Sequence, residues 1–330
     1  MTKVNLQKGV ALITVMLIVA LIAILATQMT ARLQLQMQRT TNIGSNQQAY
    51  WYAMGAEAFA KSVLRQSFKD NENVTSLEQM WAQGENTFPV DFGEITGEIS
   101  DLHSCFNLNA LRTEEDEKEQ STTKSVPRKA FEELLIALNI EGVGDFEAES
   151  MADALTDWLD ADGSISSAGG AEDDDYAAKE FPYLAANNYL ASMGELRIIE
   201  HFTVDAINKL KDYTCVLPNT NVNKVNINTI ADDKPEILVG MLGISQNDAS
   251  QVLSSREDEG FENIDDFFAL KEFEKAKISA EQKAQFTVKS EYFNLKTTAS
   301  FNNSYFAMNS IMRVEDKNKI NVVSRIIGRE

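Results

Sequence analysis

Carboxylate side chains are concentrated in one stretch of the chain, residues 145–180, which holds twelve of them and a single lysine. So many like charges repel one another unless something neutralises them. Oxygen ligands of this kind suit Ca²⁺, which binds roughly six to eight of them in flexible geometry. From its residues alone, the stretch is therefore a candidate calcium site. The expected ligands form two groups joined by a segment rich in glycine and serine: Asp157, Asp160 and Asp162, then Glu172, Asp173 and Asp175.

The spacing of these carboxylates does not match an EF-hand loop. If Asp160 is taken as the first position, the sixth, normally glycine, is Ile165, and the twelfth, normally glutamate, is Ala171. The plain alternative is a solvated acidic loop, and another is a hydrolytic site that uses paired carboxylates. Aromatic residues among the carboxylates favour a loop that packs on a core: Trp158, Tyr176, Phe181 and Tyr183.

The overall composition argues against several other kinds of site. The 330 residues carry 50 acidic and 30 basic side chains, and the net charge of -20 opposes nucleic-acid binding because phosphate contacts need a basic surface. Two cysteines cannot form a cysteine-only zinc site, and two histidines leave little for histidine-based catalysis. The sequence also has no Gly-x-Ser-x-Gly, His-Glu-x-x-His or Walker A motif.

The N-terminus predicts a membrane anchor. A short polar segment with two lysines precedes Val10–Ala26, which is apolar except for Thr14. This length is near the lower limit for a helix that spans a bilayer. Because lysines remain on the cytoplasmic side, we expect the rest of the chain to lie outside the inner membrane.

Three interpretations of this anchor remain open from the residues alone. A cleaved secretory signal needs small residues before its cleavage site, and Ile24 and Leu25 before Ala26 fit that poorly. An uncleaved signal anchor is the second. The third follows from Gly9 and Val10, where a glycine after a lysine meets the apolar run directly, as in a type IV prepilin leader cut after Gly9.

The apolar segment continues into a predicted long helix over residues 10–67. Its later part is amphipathic, with small residues at helical spacing: Ala49, Ala53, Ala56 and Ala60. Because small side chains allow helices to approach closely, we expect this stripe to bind partner helices. A long helix with an apolar first third and an amphipathic remainder resembles a pilin.

The remainder of the chain has strands on either side of a long helical region. Alternating patterns predict strands within residues 93–109 and three antiparallel strands from residue 286 onward. Between them, Phe106-Asn-Leu-Asn-Ala-Leu111 matches Val225-Asn-Ile-Asn-Thr-Ile230, and each copy precedes two helices joined by a short turn. Each copy looks like a helix–hairpin–helix or SAM-like unit. Such turns can bind DNA, but these lack a cluster of lysine or arginine.

The start of the apolar run identifies a more specific resemblance. Pilins normally carry glutamate at the fifth mature position, which here is Thr14. That departure and the sequence from Gly9 to Leu21 resemble the K-type minor pseudopilins of the type II secretion system. The resemblance covers the whole mature chain and implies an α+β, pilin-like fold with a large helical insertion of two SAM-like units.

The same resemblance implies a domain plan and a function. The plan is a leader (1–9), a long helix with a transmembrane first third (10–67), the first part of a sheet domain (68–110), an inserted helical domain (111–285) and C-terminal strands (286–330). The implied function is a structural subunit at the pseudopilus tip, not an enzyme. A membrane-anchored DNA receptor is the alternative.

The implied environment and partners follow the family. The implied protein partners are prepilin peptidase, the I- and J-type minor pseudopilins and secreted substrate proteins, and the implied metal ion is calcium. The implied location is the inner membrane of a Gram-negative bacterium, with the main domain in the periplasm. Methylation of the mature N-terminus is also expected. An oxidising compartment favours a disulfide between Cys105 and Cys215, although two buried thiols remain the alternative.

Overall fold

The computed structural model describes residues 9–113, 124–316 and 319–328. Its first element is a helix of 61 residues, α1 (Val10–Asp70), about 90 Å long at about 1.5 Å per residue. No proline interrupts α1, and Gly44 lies within it without ending it. Residues 10–44 are exposed on all sides. The helix ends three residues after the predicted boundary, and residues 1–8 of the predicted leader lie outside the described residues.

Strands from both sides of the helical region form one sheet. The strands are β1 (Asn86–Val90), β2 (Gly93–Asp101), β3 (Phe106–Asn107), β4 (Thr214–Cys215), β5 (Val225–Asn226), β6 (Phe286–Thr287), β7 (Tyr292–Phe301), β8 (Ser304–Asp316) and β9 (Lys319–Ile327). The main sheet is antiparallel in the order β1-β2-β7-β8-β9. Asn302 has a φ of 50° in the two-residue turn between β7 and β8, a conformation that asparagine tolerates. The three predicted C-terminal strands are confirmed.

The second half of α1 packs on one face of this sheet. Near the C-terminal end of α1, Leu64 and Phe68 join an apolar cluster that includes Phe293 and Met312. A smaller apolar cluster, closer to the N-terminus of α1, joins Ala53 to residues of β7 and β8. Burying an apolar helix face on an apolar sheet face removes both from water, which is the main favourable contribution to this packing.

The small residues of α1 face the sheet of their own chain. Ala49, Ala53 and Ala60 are buried there, and Ala56 is half-buried. Our prediction that Ala49, Ala53, Ala56 and Ala60 form the surface for partner helices is therefore wrong for Ala49, Ala53 and Ala60, and it stays a prediction for Ala56. Helical spacing identified residues that share a face, but small side chains also let α1 approach its own sheet closely.

The region between β2 and β7 is mainly helical and has its own apolar core. Its helices are α2 (Val126–Ala137), α3 (Asp145–Leu159), α4 (Asp173–Ala177), α5 (Val204–Leu210), α6 (Glu236–Leu242), α7 (Gln246–Ser254), α8 (Ile264–Phe268) and α9 (Ala280–Lys283). Helices α2 and α6 approach each other closely at Gly240 of α6. A Cβ atom added there would lie only 2.8 Å from the Cβ atom of Leu134 in α2.

The sequence repeat corresponds to a repeated piece of structure. In the first copy, β3 pairs in parallel with β4, and Asn109 hydrogen-bonds both the N–H and the C=O of Leu190. In the second, β5 pairs in parallel with β6, and Asn228 bonds both backbone groups of Phe261 in the same way. The repeated asparagines therefore satisfy backbone groups that are distant in sequence.

A disulfide braces the region between β2 and β7, and a buried carboxylate joins that region to the sheet. Cys105 and Cys215 form a disulfide with a Cα–Cα distance of 5.8 Å, the first of the two outcomes that the sequence left open. Asp101, at the end of β2, is buried and accepts hydrogen bonds from the hydroxyls of Thr229 and Ser290, each at 2.5 Å. The hydrogen bonds of Asp101 hold the sheet and the helical region against each other.

Candidate functional site

The acidic residues gather where α3 ends. Helix α3 is buried over most of its length, and its last turn and C-terminal cap contain Asp157 and Asp160. The C-terminus of a helix carries partial negative charge, so carboxylates there are unfavourable unless a cation compensates. Asp162 follows in the next turn, where its Oδ1 accepts from the N–H of Ser164 at 2.8 Å. This arrangement concentrates negative charge at one point.

The loop after α3 returns across the helix because two glycines allow it. A Cβ atom at Gly169 would lie 2.6 Å from Ser150 Cα, and one at Gly170 would collide with Asp157 Oδ2. The N–H of Ser166 donates to Asp157 Oδ1 at 3.1 Å, and this hydrogen bond ties the loop to the last turn of α3. The loop thereby brings Glu172 back to the end of α3.

Glu172 is the central residue of the cluster. It precedes α4 and is only 3% exposed, and neither of its carboxylate oxygens has a hydrogen-bond partner within the described ranges. Burial, together with the nearby negative charges of Asp157 and Asp160, raises the pKa of Glu172 from 4.5 to about 7. Ligand oxygens of Asp160, Asp162 and Glu172 all lie within 4.8 Å of one another. Three converging carboxylates, one of them buried without a partner, fit a divalent cation that prefers oxygen ligands.

The other predicted ligands have different positions. Asp157 is buried beside this group, although it is not one of the three converging residues. Asp173 accepts a hydrogen bond from the N–H of Ala185 at 2.9 Å, and Asp175 accepts one from the N–H of Glu172 at 3.1 Å. Asp173 and Asp175 lie outside the group of three and instead hold the loop and the start of α4.

A cluster of aromatic side chains lies next to these carboxylates. The Trp158 and Tyr176 rings meet edge to face with centroids 5.1 Å apart, and Tyr176 stacks on Tyr183 at 5.2 Å. Burial raises the pKa of Tyr176 well above its usual value. The prediction of a loop packed on a core is confirmed for Trp158 and Tyr176, which are buried, but Phe181 is exposed. Asp157, Asp160 and Glu172 are buried as well, so the alternative of a solvated acidic surface is wrong for these three carboxylates.

Sequence reasoning missed a second anchor of the same loop. Arg128 of α2 forms an ion pair with the buried Asp153 of α3, and the hydroxyl of Ser167 donates to that carboxylate. The available signal was the helical position of Asp153, one turn before Asp157 on the same face. Sequence spacing alone did not show that Asp153, rather than Asp157, would lie beside the guanidinium of Arg128.

The apolar N-terminal part of α1 is the other candidate functional feature. One 18-residue window in this helix has a mean hydropathy of 3.0, and none of it is buried in the protein, so α1 is long and apolar enough to cross a bilayer. Thr14 lies in this part, and its hydroxyl is within hydrogen-bond distance of the carbonyls of Val10 (3.1 Å) and Ala11 (2.9 Å). Its polar group is therefore satisfied within its own helix.

Two consecutive segments of the chain match models of one protein family. Residues 104–219 and residues 225–289 each match a model described as type II secretion system (T2SS), protein K. The first match covers one copy of the asparagine repeat, and the second match begins at the other copy. The two-part organisation seen in the sequence and in the structure is thus a property of the matched family.

Relatives with the same description align over nearly the whole chain. Type II secretion system protein K of Aeromonas hydrophila is 37% identical over 98% of this chain and 97% of its own. The proteins of that name from Pectobacterium carotovorum subsp. carotovorum and Klebsiella pneumoniae are 34% and 32% identical over the same shares. A chain in the crystal structure of the GspK-GspI-GspJ complex from enterotoxigenic Escherichia coli matches with a TM-score of 0.79 and 31% identity, covering 88% of this chain and 100% of that chain.

Proposed function

The chain belongs to the type II secretion system protein K family and is a minor subunit of the secretion pseudopilus, and we propose that it is the structural subunit at the pseudopilus tip. In this role it supports the export of folded proteins across the outer membrane and catalyses no reaction. The observation that carries the proposal is the helical region between β2 and β7, which a pilin plan of one helix and one sheet does not need. Its bulk would block the addition of another subunit above it.

The start of α1 supports the same position. The glutamate that pilins carry at the fifth mature position pairs, in that family's model of assembly, with the N-terminal amine of a neighbouring subunit. A buried carboxylate without such a partner is costly. Thr14 avoids that cost because its hydroxyl bonds to its own helix. A subunit with no neighbour above it has no use for the glutamate.

The location of a label on assembled pseudopili tests this proposal. An epitope inserted after Gly142, in an exposed turn with a φ of 78°, leaves the core of the helical region untouched. We expect antibody-gold to mark one end of each pseudopilus seen by electron microscopy. Labels distributed along the length would contradict the tip position, while the family assignment would stand.

We also propose the partners and the location. I- and J-type minor pseudopilins are the expected partners, since the matched solved structure is a GspK-GspI-GspJ complex. Prepilin peptidase would cleave between Gly9 and Val10, where the chain enters α1. The apolar part of α1 would lie in the inner membrane and the sheet and helical regions in the periplasm, where the helical repeats would serve as SAM-like packing units.

A bound calcium ion is part of the proposal. Asp160, Asp162 and Glu172 would supply its protein ligands, with Asp157 as the nearest further carboxylate. The ion would neutralise the charge at the end of α3 and join both ends of the loop to the helical core. Its role would be structural, because it would hold α4 and the preceding loop in place.

A further inference from the structure

The loop between α3 and α4 is fastened to α3 by two acidic residues that lie one helical turn apart. Asp157 accepts a hydrogen bond from the N–H of Ser166 at 3.1 Å, and Asp153 accepts one from the hydroxyl of Ser167. Glu172, the central residue of the acidic site, follows Ser167 by only five positions. Because so short a segment has a limited reach, the point where Ser167 is fastened restricts where the carboxylate of Glu172 can lie.

The charge of Asp153 is compensated by the protein itself. Nη2 of Arg128 in α2 forms an ion pair with Asp153, whose side chain is only 2% exposed. Nε of the same guanidinium donates to Glu132, one turn further along α2, at 3.0 Å. A guanidinium between two carboxylates has a well-defined position, because its donors form a rigid planar fork. Arg128, Asp153 and Ser167 thus form a loop clamp that joins α2, α3 and the loop.

The buried carboxylate of Glu172 has a different environment from that of Asp153. Glu172 is 3% exposed, and neither of its oxygens has a hydrogen-bond partner among the residues that the structure describes. One of them lies within 4.8 Å of ligand oxygens of Asp160 and Asp162. A buried carboxylate without a partner is unfavourable, so Glu172 points to a bound cation. The arginine therefore serves the carboxylate that fastens the loop, and the cation would serve the one that the loop delivers.

Protein atoms also hold the segment between the clamp and Glu172. Gly169 passes so close to α3 that an added Cβ atom would lie only 3.0 Å from Asp153 Oδ2. The carbonyl oxygen of Gly169 lies 3.1 Å from His201 Nε2, and the N–H of Gly170 donates to the carbonyl of Ser167 at 3.0 Å. Packing and hydrogen bonds on both sides of the loop therefore set its path.

We propose that Arg128 is a positioning residue for the calcium site, because the loop clamp fixes the returning loop before an ion binds and Glu172 then already lies beside Asp160 and Asp162. The inference rests on the proposed calcium binding and names a residue that affects it without touching the ion. Ordering a flexible loop costs conformational entropy, which weakens the binding of any ligand that has to impose the order. With the clamp, the loop becomes ordered during folding, and calcium binds more tightly.

The charge of Arg128 by itself would have the opposite effect on calcium binding. A positive charge near a cation site repels the ion, so its removal strengthens binding if electrostatics alone decides the affinity. The removal of a positioning residue weakens binding instead. The direction of the change in affinity therefore distinguishes the two roles.

Titration calorimetry of the full-length protein in detergent, with calcium chloride, measures this direction. We expect Arg128→Met to raise the Kd for calcium by about tenfold or more, as is typical when a residue that orients metal ligands is lost. Lys129→Met is the matched control, because Lys129 is the next residue of α2, is exposed and carries the same charge. Its Kd should change by less than about twofold. An Arg128→Met protein that binds calcium as tightly as the wild type, or more tightly, would overturn the inference.

Ser167→Ala decides the question if Arg128→Met fails to fold. This variant keeps every charge and the Arg128–Asp153 ion pair, and it removes only the hydroxyl that fastens the loop. We expect the Kd for calcium to rise by about threefold or more. Ser254→Ala is its control, because that exposed hydroxyl bonds only to a carbonyl of its own helix, and its Kd should equal that of the wild type. An unchanged Kd in Ser167→Ala would also overturn the inference.

Hydrogen exchange in the presence of a chelator examines the loop without calcium. The amides of Ser166 and Gly170 are both hydrogen-bonded in the loop, and we expect them to exchange at least about tenfold faster in Arg128→Met and Ser167→Ala than in the wild type. Equal rates in all three proteins would show that the clamp does not order the loop. A wild type that binds no calcium would refute the proposed calcium site itself, whereas equal calcium binding by the wild type and both variants would refute only the role of Arg128.

Discussion

Glu57 of α1 and Arg325 of β9 form a two-pronged ion pair across the interface between helix and sheet. Arg325 Nε lies 2.7 Å from Glu57 Oε2, and Arg325 Nη2 lies 3.0 Å from Glu57 Oε1. The hydroxyl of Ser310 donates to the same carboxylate at 2.9 Å, and Lys61 lies 3.2 Å away. Glu57 is only 2% exposed, so these donors replace the water it loses. The pair sets the position of α1 on its sheet.

Removing Glu57 should destabilise the protein. Glu57→Ala leaves the guanidinium of Arg325 and the hydroxyl of Ser310 without their acceptor, and we expect the free energy of unfolding to fall by about 3 kcal/mol. Denaturant unfolding of the purified protein measures this change. As a matched control, Glu94→Ala removes an exposed glutamate from β2 and should change stability by less than about 0.5 kcal/mol. Equal effects would contradict the role of the pair.

The same carboxylate predicts a dependence of stability on pH. Burial raises the pKa of Glu57, but hydrogen bonds from Arg325 and Ser310 and the charge of Lys61 outweigh it and lower the pKa from 4.5 to about 2. Because the folded pKa is the lower one, the contribution is fully present above pH 4.5 and is lost as the pH falls towards 2.

We therefore expect the melting temperature of the wild type to fall more steeply between pH 5 and pH 2.5 than that of Glu57→Gln. All carboxylates other than that of Glu57 still titrate in the variant. The difference between the two curves of melting temperature against pH therefore reports the contribution of Glu57 alone. Parallel curves would show that Glu57 keeps an ordinary pKa in the folded protein.

Calcium should stabilise the protein through the acidic site. Binding to the folded state alone contributes about 2.7 kcal/mol at a hundredfold excess of ligand over its Kd, so calcium should raise the melting temperature relative to a chelator. Magnesium should raise it less because it requires stricter octahedral geometry. Asp160→Asn and Glu172→Gln should reduce the calcium shift.

Asp174→Asn is the matched control for this experiment. Asp174 is exposed in the first turn of α4 and is not one of the three converging carboxylates. The full calcium shift should persist in this variant. A shift that Asp174→Asn reduces as much as Glu172→Gln would indicate general screening of the acidic surface, and identical melting curves with calcium and chelator would rule out the site.

Processing should expose Val10 as the mature N-terminus. Gly9 has a φ of 132° and is exposed at the start of α1, so a bulky residue there is unfavourable in this conformation. We expect Gly9→Leu to block cleavage and Thr14→Ser to leave it unchanged, as read by N-terminal sequencing of protein from membranes. A mature chain that begins at Met1 or near Thr27 would contradict the prepilin interpretation.

Several features could be predicted because they depend on residues close together in sequence. An apolar run without a proline predicts one long helix, since helix formation depends on neighbouring residues. The alternating pattern after residue 286 predicts strands for the same reason. The two Asn-x-Asn copies indicated a repeat, although only the structure shows that Asn109 and Asn228 bond the backbone of Leu190 and Phe261.

The acidic site was predicted in part. Charge density located the region and the aromatic residues indicated that it packs on a core. The choice among its carboxylates depended on the path of the loop: Glu172 turns inward without a described hydrogen-bond partner, whereas Asp173 and Asp175 accept backbone hydrogen bonds. Adjacent acidic residues have the same chemistry, so their types could not distinguish these roles.

The sequence by itself therefore determined the long apolar helix, the strands, the repeat and the acidic region, because each follows from local pattern. Only the tertiary structure decided what covers each surface. The spacing of Ala49, Ala53 and Ala60 is equally suited to a partner helix or to the chain's own sheet, and the fold assigns it to the sheet. Likewise, Glu57 and Arg325 are 268 residues apart, and their pairing exists only because the C-terminal strand returns to pack against the first helix.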